Sequence, residues 1–265
     1  MTPATGGHAR VGSPGVQAAL LVLERLAAGR PLSLAELSRE VAVAKSTLHR
    51  VCNVLVERGW AIRDDAGRYA LGIRALGVGA AAAELPLVTA FRGVAAELLT
   101  RHDETVCLGV VDGEESVYLA IEETSQPIRL VTHVGSRTPA FASASGRVFL
   151  AARPPAEIAA RYAGRPLVTP VGRRLTGVAE LQTLLATTRE RGYAENVEET
   201  AAGLWAASTP VSNGGGMVLA ALTVVAPTSR MPPERRERVI SDLRDAGAGL
   251  SASVAWLPSY DARRP

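Results

Sequence analysis

The segment SLAELSREVAVAKSTLHRVCNVLVERG, Ser33–Gly59, decides how the chain is read. Ser33-Leu34-Ala35-Glu36 has capping-box spacing: the Ser33 hydroxyl can accept from the N–H three residues on, while Glu36 reaches back. It predicts a short helix over Leu34–Glu40. A second helix follows within a few residues, from about Ala44 to Val56. Its apolar positions Leu48, Val51, Cys52 and Leu55 recur at i, i+3, i+4 and i+7, which makes one core-facing stripe. Gly59 ends it. Lys45, Ser46, His49, Arg50 and Asn53 lie on the opposite face, with Thr47 beside them. Two short helices joined by a tight turn, the second with a polar outer face, predict a helix-turn-helix. The first residues of its second helix are the ones that approach base edges. Lys45 and Ser46 also sit where a helix N-terminus favours phosphate.

Upstream, Val16–Ala28 reads as an amphipathic helix with Ala19, Leu20, Leu23 and Leu26 on its core side, stopped at Gly29. Downstream, Trp60–Arg63 and Arg68–Leu71 flank the acidic turn Asp64-Asp65-Ala66-Gly67, the pattern of a β-hairpin. Three helices and a hairpin predict a winged helix-turn-helix over residues 13–72, with Arg63 and Arg68 at the wing. Residues 1–12 are Gly- and Thr-rich and are expected to be disordered.

Gly72–Glu84 is rich in Ala and carries Ile73, Leu76 and Ala80 on one side. It reads as a linker helix that stops near Pro86, with residues 73–85 as the linker. Gly77 and Gly79 each weaken such a helix by roughly 1 kcal/mol relative to Ala, which leaves a flexible linker as the alternative. Residues 86–258 form the second domain and residues 259–265 a loose tail. Helices are expected over Leu87–Arg101, Ser143–Ala152, Val178–Arg191 and Pro233–Val254. Strands are expected over Thr105–Val111, Ser116–Ile121, Arg129–His133, Tyr193–Asn196, Leu204–Pro210 and Met217–Ala226. Strands joined largely by hairpins, with helices at both ends, predict an α+β fold on an antiparallel sheet.

The charge distribution agrees with a nucleic-acid partner for the first third. Residues 1–85 hold 10 Lys/Arg against 7 Asp/Glu, and the remainder holds 19 of each, so the whole excess of +3 lies there. Phosphate neutralisation needs positive charge on one face rather than a basic whole. Cys52 and Cys107 are far apart in apolar surroundings, with neither metal-site nor disulfide spacing, and read as buried free thiols. The N-terminus has no apolar signal core, and no apolar run approaches the ~20 residues that span a bilayer, so a cytoplasmic location and no membrane partner are expected.

Nothing in the second domain has the spacing of a catalytic site. Ser143-Ala144-Ser145-Gly146 lacks a Ser centred in Gly-x-Ser-x-Gly. His102, Asp103, Glu104 and His133 lack His-Glu-x-x-His spacing, so no metal or cofactor is expected. Glu122-Glu123 and Glu198-Glu199 are adjacent pairs that point to opposite faces of a strand and read as solvated charge.

At this point the sequence resembles the IclR family of bacterial transcription regulators. AKSTLHR (Ala44–Arg50), the Leu55–Trp60 stretch with Gly59, and GRYALG (Gly67–Gly72) carry the match in the first domain. HVGSRTPAFASASGRVFLA (His133–Ala151) and YAENVEETAAGLWAASTPV (Tyr193–Val211) carry it in the second. Ala42 and Ala44 stand where the family has Gly and Pro, and Arg147 stands where it has Lys.

The resemblance implies a GAF-like effector domain that binds a small metabolite, often an acid. Carried over by local alignment, its effector positions are Leu130, Thr138, Ala144, Ser145, Asn196, Ala206, Thr223 and Val225. It further implies a homodimer or dimer of dimers that binds a palindromic double-stranded DNA operator, as repressor or activator. A DNA-binding protein without a small-molecule ligand and an enzyme with an appended helix-turn-helix are the rival classes. Ligand-induced thermal shifts and turnover separate them.

Overall fold

In the computed structural model the described residues are 13–27 and 29–258. The expected N-terminal segment 1–12, Ala28 and the expected tail 259–265 lie outside them. The chain divides into two compact units, Met1–Ala82 and Ala83–Pro265, with the division inside the expected linker.

The first unit holds α1 (Pro14–Leu26), α2 (Leu34–Val41), α3 (Lys45–Glu57) and the two-stranded hairpin β1 (Ala61–Arg63) and β2 (Tyr69–Leu71). Its core is Val22, Leu26, Leu32, Leu37, Leu48, Cys52, Leu55 and Tyr69 with their neighbours. Each such side chain stabilises the unit by about 1.5–3 kcal/mol on burial. The capping box at α2 is complete: Ser33 Oγ accepts from the Glu36 N–H at 3.3 Å, and Glu36 Oε2 accepts from the Ser33 N–H at 2.7 Å. The expected face of α1 is corrected only at Leu20: Leu26 is buried, and Ala19 and Leu23 pack against this core. Its buried residues are Ala18, Val22 and Leu26, a strict i, i+4, i+8 row, while Leu20 is 55% exposed.

Gly72 closes the unit. Its N–H donates to the Trp60 carbonyl at 2.8 Å, and a Cβ there would run into the Gly59 backbone, so only glycine fits. Beyond it, α4 (Ile73–Ala83) is the expected linker helix, and none of its residues is buried.

The second unit is built on one six-stranded antiparallel sheet in the order β5-β4-β3-β8-β7-β6. The strands are β3 (Thr105–Asp112), β4 (Glu115–Glu122), β5 (Arg137–Pro139), β6 (Ala194–Val197), β7 (Leu204–Ser212) and β8 (Val218–Pro227). Alternation along β8 assigns the faces: Ala220, Leu222, Val224 and Ala226 enter one core, Ala221 and Val225 another. The first core also receives α5 (Pro86–His102) and α9 (Pro233–Ser253), with Phe91, Trp205, Leu243 and Leu250 at its centre. On the other face lie α6 (Ala144–Ala151) and, beside it, α7 (Pro155–Tyr162) and α8 (Val178–Arg191).

Residues 129–133 form no strand, and Val131 is 91% exposed; the edge strand is β5, paired with β4 through Ser116↔Thr138. Helix α7 is not among the expected elements; Pro155 stands in its first turn, where the missing N–H costs nothing. Among the described residues no single helix is long and apolar enough to cross a membrane.

Candidate nucleic-acid interface and effector face

On the first unit, α3 presents Lys45, Ser46, His49, Arg50 and Asn53 to solvent, with Thr47 half-buried behind them. Leu48, Cys52 and Leu55 anchor the opposite side. Burial lifts the Cys52 thiol to about 11, so it serves as a small apolar wedge rather than a nucleophile. Lys45 and Arg50 have no carboxylate within ion-pair distance among the described residues.

The turn that leads into α3 keeps its shape without the family's Gly and Pro. Ala42 takes the left-handed conformation (φ 50°, ψ 37°) and ends α2. Ala44 holds φ −54°, ψ 132° and begins α3. As an alanine, Ala44 offers no side-chain cap. The first N–H groups of α3 are therefore left for an incoming anion, and the helix dipole adds to the attraction.

The wing arginines are exposed but engaged. The Arg68 guanidinium donates to both carboxylate oxygens of Glu36, at 3.3 and 3.5 Å. The Arg63 guanidinium carbon lies 5.5 Å from the Tyr69 ring centroid, a cation–π contact. Asn53 Nδ2 lies 3.4 Å from His49 Nδ1, so these two polar side chains brace one another along α3.

On the second unit, the eight positions expected to form the effector site share one side of the sheet. Thr138 lies on β5, Asn196 on β6, Ala206 on β7, and Thr223 and Val225 on β8. Ala206↔Val225 and Asn196↔Ala206 are cross-strand partners. Ala144 and Ser145 open α6 above them, and Ala144, Ala206, Val225 and the half-buried Leu130 join one apolar cluster. Gly146 lets α6 begin there: a Cβ at this position would penetrate the Ala140 backbone. The Ser143 hydroxyl caps the helix by accepting from the Gly146 N–H at 3.0 Å.

Most polar groups on this side already have partners. Asn196 Nδ2 donates to the Ala142 carbonyl, and its Oδ1 accepts from the Glu199 N–H at 3.2 Å. The Thr223 hydroxyl pairs with Ser208, and Ser145 pairs with Ser116 at 2.6 Å. Arg147 is fully buried; its Nη1 and Nη2 donate to the two carboxylate oxygens of Glu199 at 2.9 and 2.6 Å. Glu199 is therefore no solvated charge, which corrects the expectation from its neighbour Glu198.

Four residues of this side escaped the sequence reading: Cys107, Ser116, Tyr118 and Ser208. Register places them there, since Cys107 pairs with Thr223, Gly109 with Tyr118, and Ser208 with Thr223. Period-two counting from Thr223 finds Cys107 and Ser208, whereas Tyr118 and Ser116 reach this face only through the register shift in the β3–β4 pairing at Leu108/Gly109. Burial pushes both the Cys107 thiol and the Tyr118 phenol well above their usual ranges, so both are neutral. The Tyr118 and Thr138 hydroxyls, by contrast, make no hydrogen bond to a described residue. Among the described residues no group of three or more His, Cys, Asp or Glu side chains is placed to hold a metal ion.

Comparisons with known proteins fall on both units. Residues 15–65 match the IclR helix-turn-helix domain, and residues 79–252 match the C-terminal domain of bacterial IclR transcriptional regulators. The chain is 28% identical over 237 residues to the HTH-type transcriptional regulator KdgR of Escherichia coli, covering 89% of this chain and 90% of that one. It superposes on the crystal structure of an IclR transcriptional regulator from Alicyclobacillus acidocaldarius with a TM-score of 0.83, at 26% identity over 92% of this chain and 99% of the other. An IclR homologue from Microbacterium hydrocarbonoxydans, solved with 4-hydroxybenzoate, shares the fold at a TM-score of 0.77 and 24% identity, over 92% of this chain and 100% of that one. These relatives are regulators rather than enzymes.

Proposed function

The chain belongs to the IclR family of bacterial transcriptional regulators, with a helix-turn-helix and an effector domain, and from that membership we propose that it binds a palindromic operator as a homodimer or dimer of dimers under the control of a small carboxylic acid. The observation that carries the DNA half is α3: an uncapped N-terminus, two uncompensated cations and three further polar side chains on one exposed face. Lys45, Ser46, Thr47, His49, Arg50 and Asn53 read the major groove, and Arg63 and Arg68 place the wing against the backbone. Domain limits of 13–72, 73–85 and 86–258 then give reader, linker and sensor.

Pairing of copies is supported by the apolar side chains that α1 and α4 leave in water. Val16, Leu20, Ile73, Leu76 and Val78 are all more than half exposed. A second copy covers such surface at about 25 cal/mol per Å². Each reading helix then meets one half of a palindrome.

For the sensor half, Leu130, Thr138, Ala144, Ser145, Asn196, Ala206, Thr223 and Val225 form the effector face, where the α6 N-terminus and hydroxyls receive the carboxylate. The same fold holds an aromatic carboxylate, 4-hydroxybenzoate, in the Microbacterium protein. The acid acts by binding one arrangement of the oligomer better than the other. A cytoplasmic location follows from this role.

Fluorescence anisotropy with DNA selected from the organism's own genome tests the reading, with and without small carboxylic acids that raise the melting temperature. One acid is expected to shift operator affinity by about 5–150-fold, the usual span of a coupling energy. An acid that stabilises the protein yet leaves operator affinity unchanged would remove the sensor role.

A further inference from the structure

A cleft of about 870 Å³ opens at one end of the sheet in the second unit, and none of the eight effector-face residues lines it. Its apolar wall includes Leu85, Leu87 and Val88 from the start of α5, and Met217 and Leu219 from the start of β8. Leu85 and Met217 are each about 40% exposed and leave apolar surface at its mouth. The opposite wall carries two arginines, Arg153 and Arg161, and two carboxylates, Asp112 and Glu157. Arg161 donates to the Gly113 carbonyl at 2.9 Å and to Glu157 at 3.3 Å, which fixes its position. Arg153 shares that same carboxylate at 3.6 Å, beyond hydrogen-bond reach. Two guanidiniums thus face one carboxylate, and the Arg153 guanidinium makes no hydrogen bond to a described residue. Asp112, also in the wall, is taken by Arg137 at 2.8 Å.

An apolar recess of this size, with one rim guanidinium that makes no hydrogen bond to a described residue, suits an amphipathic anion. A carboxylate fits the planar fork of Arg153, and a hydrocarbon body fits the Leu85–Met217 wall. We propose that this cleft is a second small-molecule site, for an amphipathic carboxylic acid. Its placement gives it a regulatory position: Leu85 is the N-cap of α5, two residues beyond the end of α4. An occupant therefore touches the first turn that the chain makes after the linker.

Isothermal titration of the full chain with octanoate, and with n-octanol as the uncharged counterpart, tests the site. Octanoate is expected to saturate below about 10 mM and to bind at least about tenfold more tightly than octanol, the difference a charged hydrogen bond supplies. Arg153→Gln should weaken octanoate about tenfold or more, and so should Met217→Asp, which sits at an exposed wall and leaves the fold intact by circular dichroism. Tyr118→Phe, on the effector face, should leave octanoate binding unchanged. The proposal is overturned by any of three results: no saturable octanoate binding; binding that survives both cleft variants but is lost in Tyr118→Phe; or a fall in sedimentation coefficient with Met217→Asp and no octanoate binding by the unmodified chain, which would make the cleft an interface between copies.

Discussion

Arg147 and Glu199 form a two-pronged ion pair in the interior of the second unit, at 2.9 and 2.6 Å, and tie α6 to the segment between β6 and β7. Arg147 also donates to the Phe141 carbonyl at 2.8 Å, and Arg173 approaches Glu199 from the loop side at 3.3 Å. Arginine suits this position because its planar fork matches a carboxylate, whereas a lysine ammonium presents a single point. Glu199→Gln leaves the guanidinium without a counter-charge, and urea unfolding should show a loss of about 3–5 kcal/mol. The apolar pair Arg147→Met with Glu199→Leu should recover part of that loss, because no buried charge remains. A double variant less stable than Glu199→Gln would mean that the hydrogen bonds from Arg147 to carbonyls outweigh the ion pair.

Ala42 and Ala44 offer a second test, through the backbone. Ala44 already holds φ −54°, the value a proline ring imposes, so Ala44→Pro should stabilise the protein by about 0.4–1 kcal/mol by restricting the unfolded chain. Ala42 sits in the left-handed region at a cost of about 1–2 kcal/mol for a side chain with a Cβ. Ala42→Gly relieves that cost and loses about 0.5–1 kcal/mol to chain entropy, so a small net gain is expected. Denaturant midpoints measure both.

For DNA, the ion-pair pattern separates arginines that otherwise look equivalent. Arg50→Ala should lower operator affinity and reduce the slope of log affinity against log salt by about 1. Arg68→Ala should cost less, since binding must first draw its guanidinium from Glu36. Equal losses in an anisotropy salt series would contradict the assignment of Arg50 to the reading face.

The capping box makes the first unit acid-sensitive. Hydrogen bonding from the Ser33 N–H, then from its hydroxyl, with a smaller contribution from Arg68, holds the Glu36 carboxyl at about 2 against an ordinary 4.5. Below its unfolded value the unfolded chain binds the proton more readily than the folded one. Stability from this group is thus complete above about pH 4.5 and lost as the pH falls toward 2. Asp103 adds to the same window: Thr124, Gln126 and Ser125 hold it at about 2 against 3.8. Glu36→Gln and Asp103→Asn should each flatten melting temperature against pH across this range. A curve with the slope of the unmodified protein would show that the cap is already broken in solution.

Local signals made much of the architecture legible. The capping box, the Leu48–Leu55 stripe and the Asp64–Gly67 turn each specify their element without help from the rest of the chain. What was not legible needed a partner in space. Leu20 looks like core on any helical wheel, yet Ala18 and Val22 are the residues that are buried. Residues 129–133 have strand composition but gain no ladder, because Arg137–Pro139 takes the edge of β4. Glu199 is indistinguishable from Glu198 in sequence; only the arrival of Arg147 from 52 residues away makes its burial affordable. On the effector face, the motif residues were visible, while Tyr118 and Ser208 emerged only from strand register.

The unburied linker has a consequence of its own. Helix α4 is 11 residues long, and a helix below about 12–15 residues is marginal in water without tertiary support. Gly77 and Gly79 lower its intrinsic stability further, by roughly 1 kcal/mol each. Its own sequence therefore gives it little intrinsic helix stability, so a bias at either end or from a covering surface changes its population. Under the proposed sensor role such a segment would transmit by melting and re-forming, and amide exchange along Ile73–Ala83 is then expected to change when the acid binds.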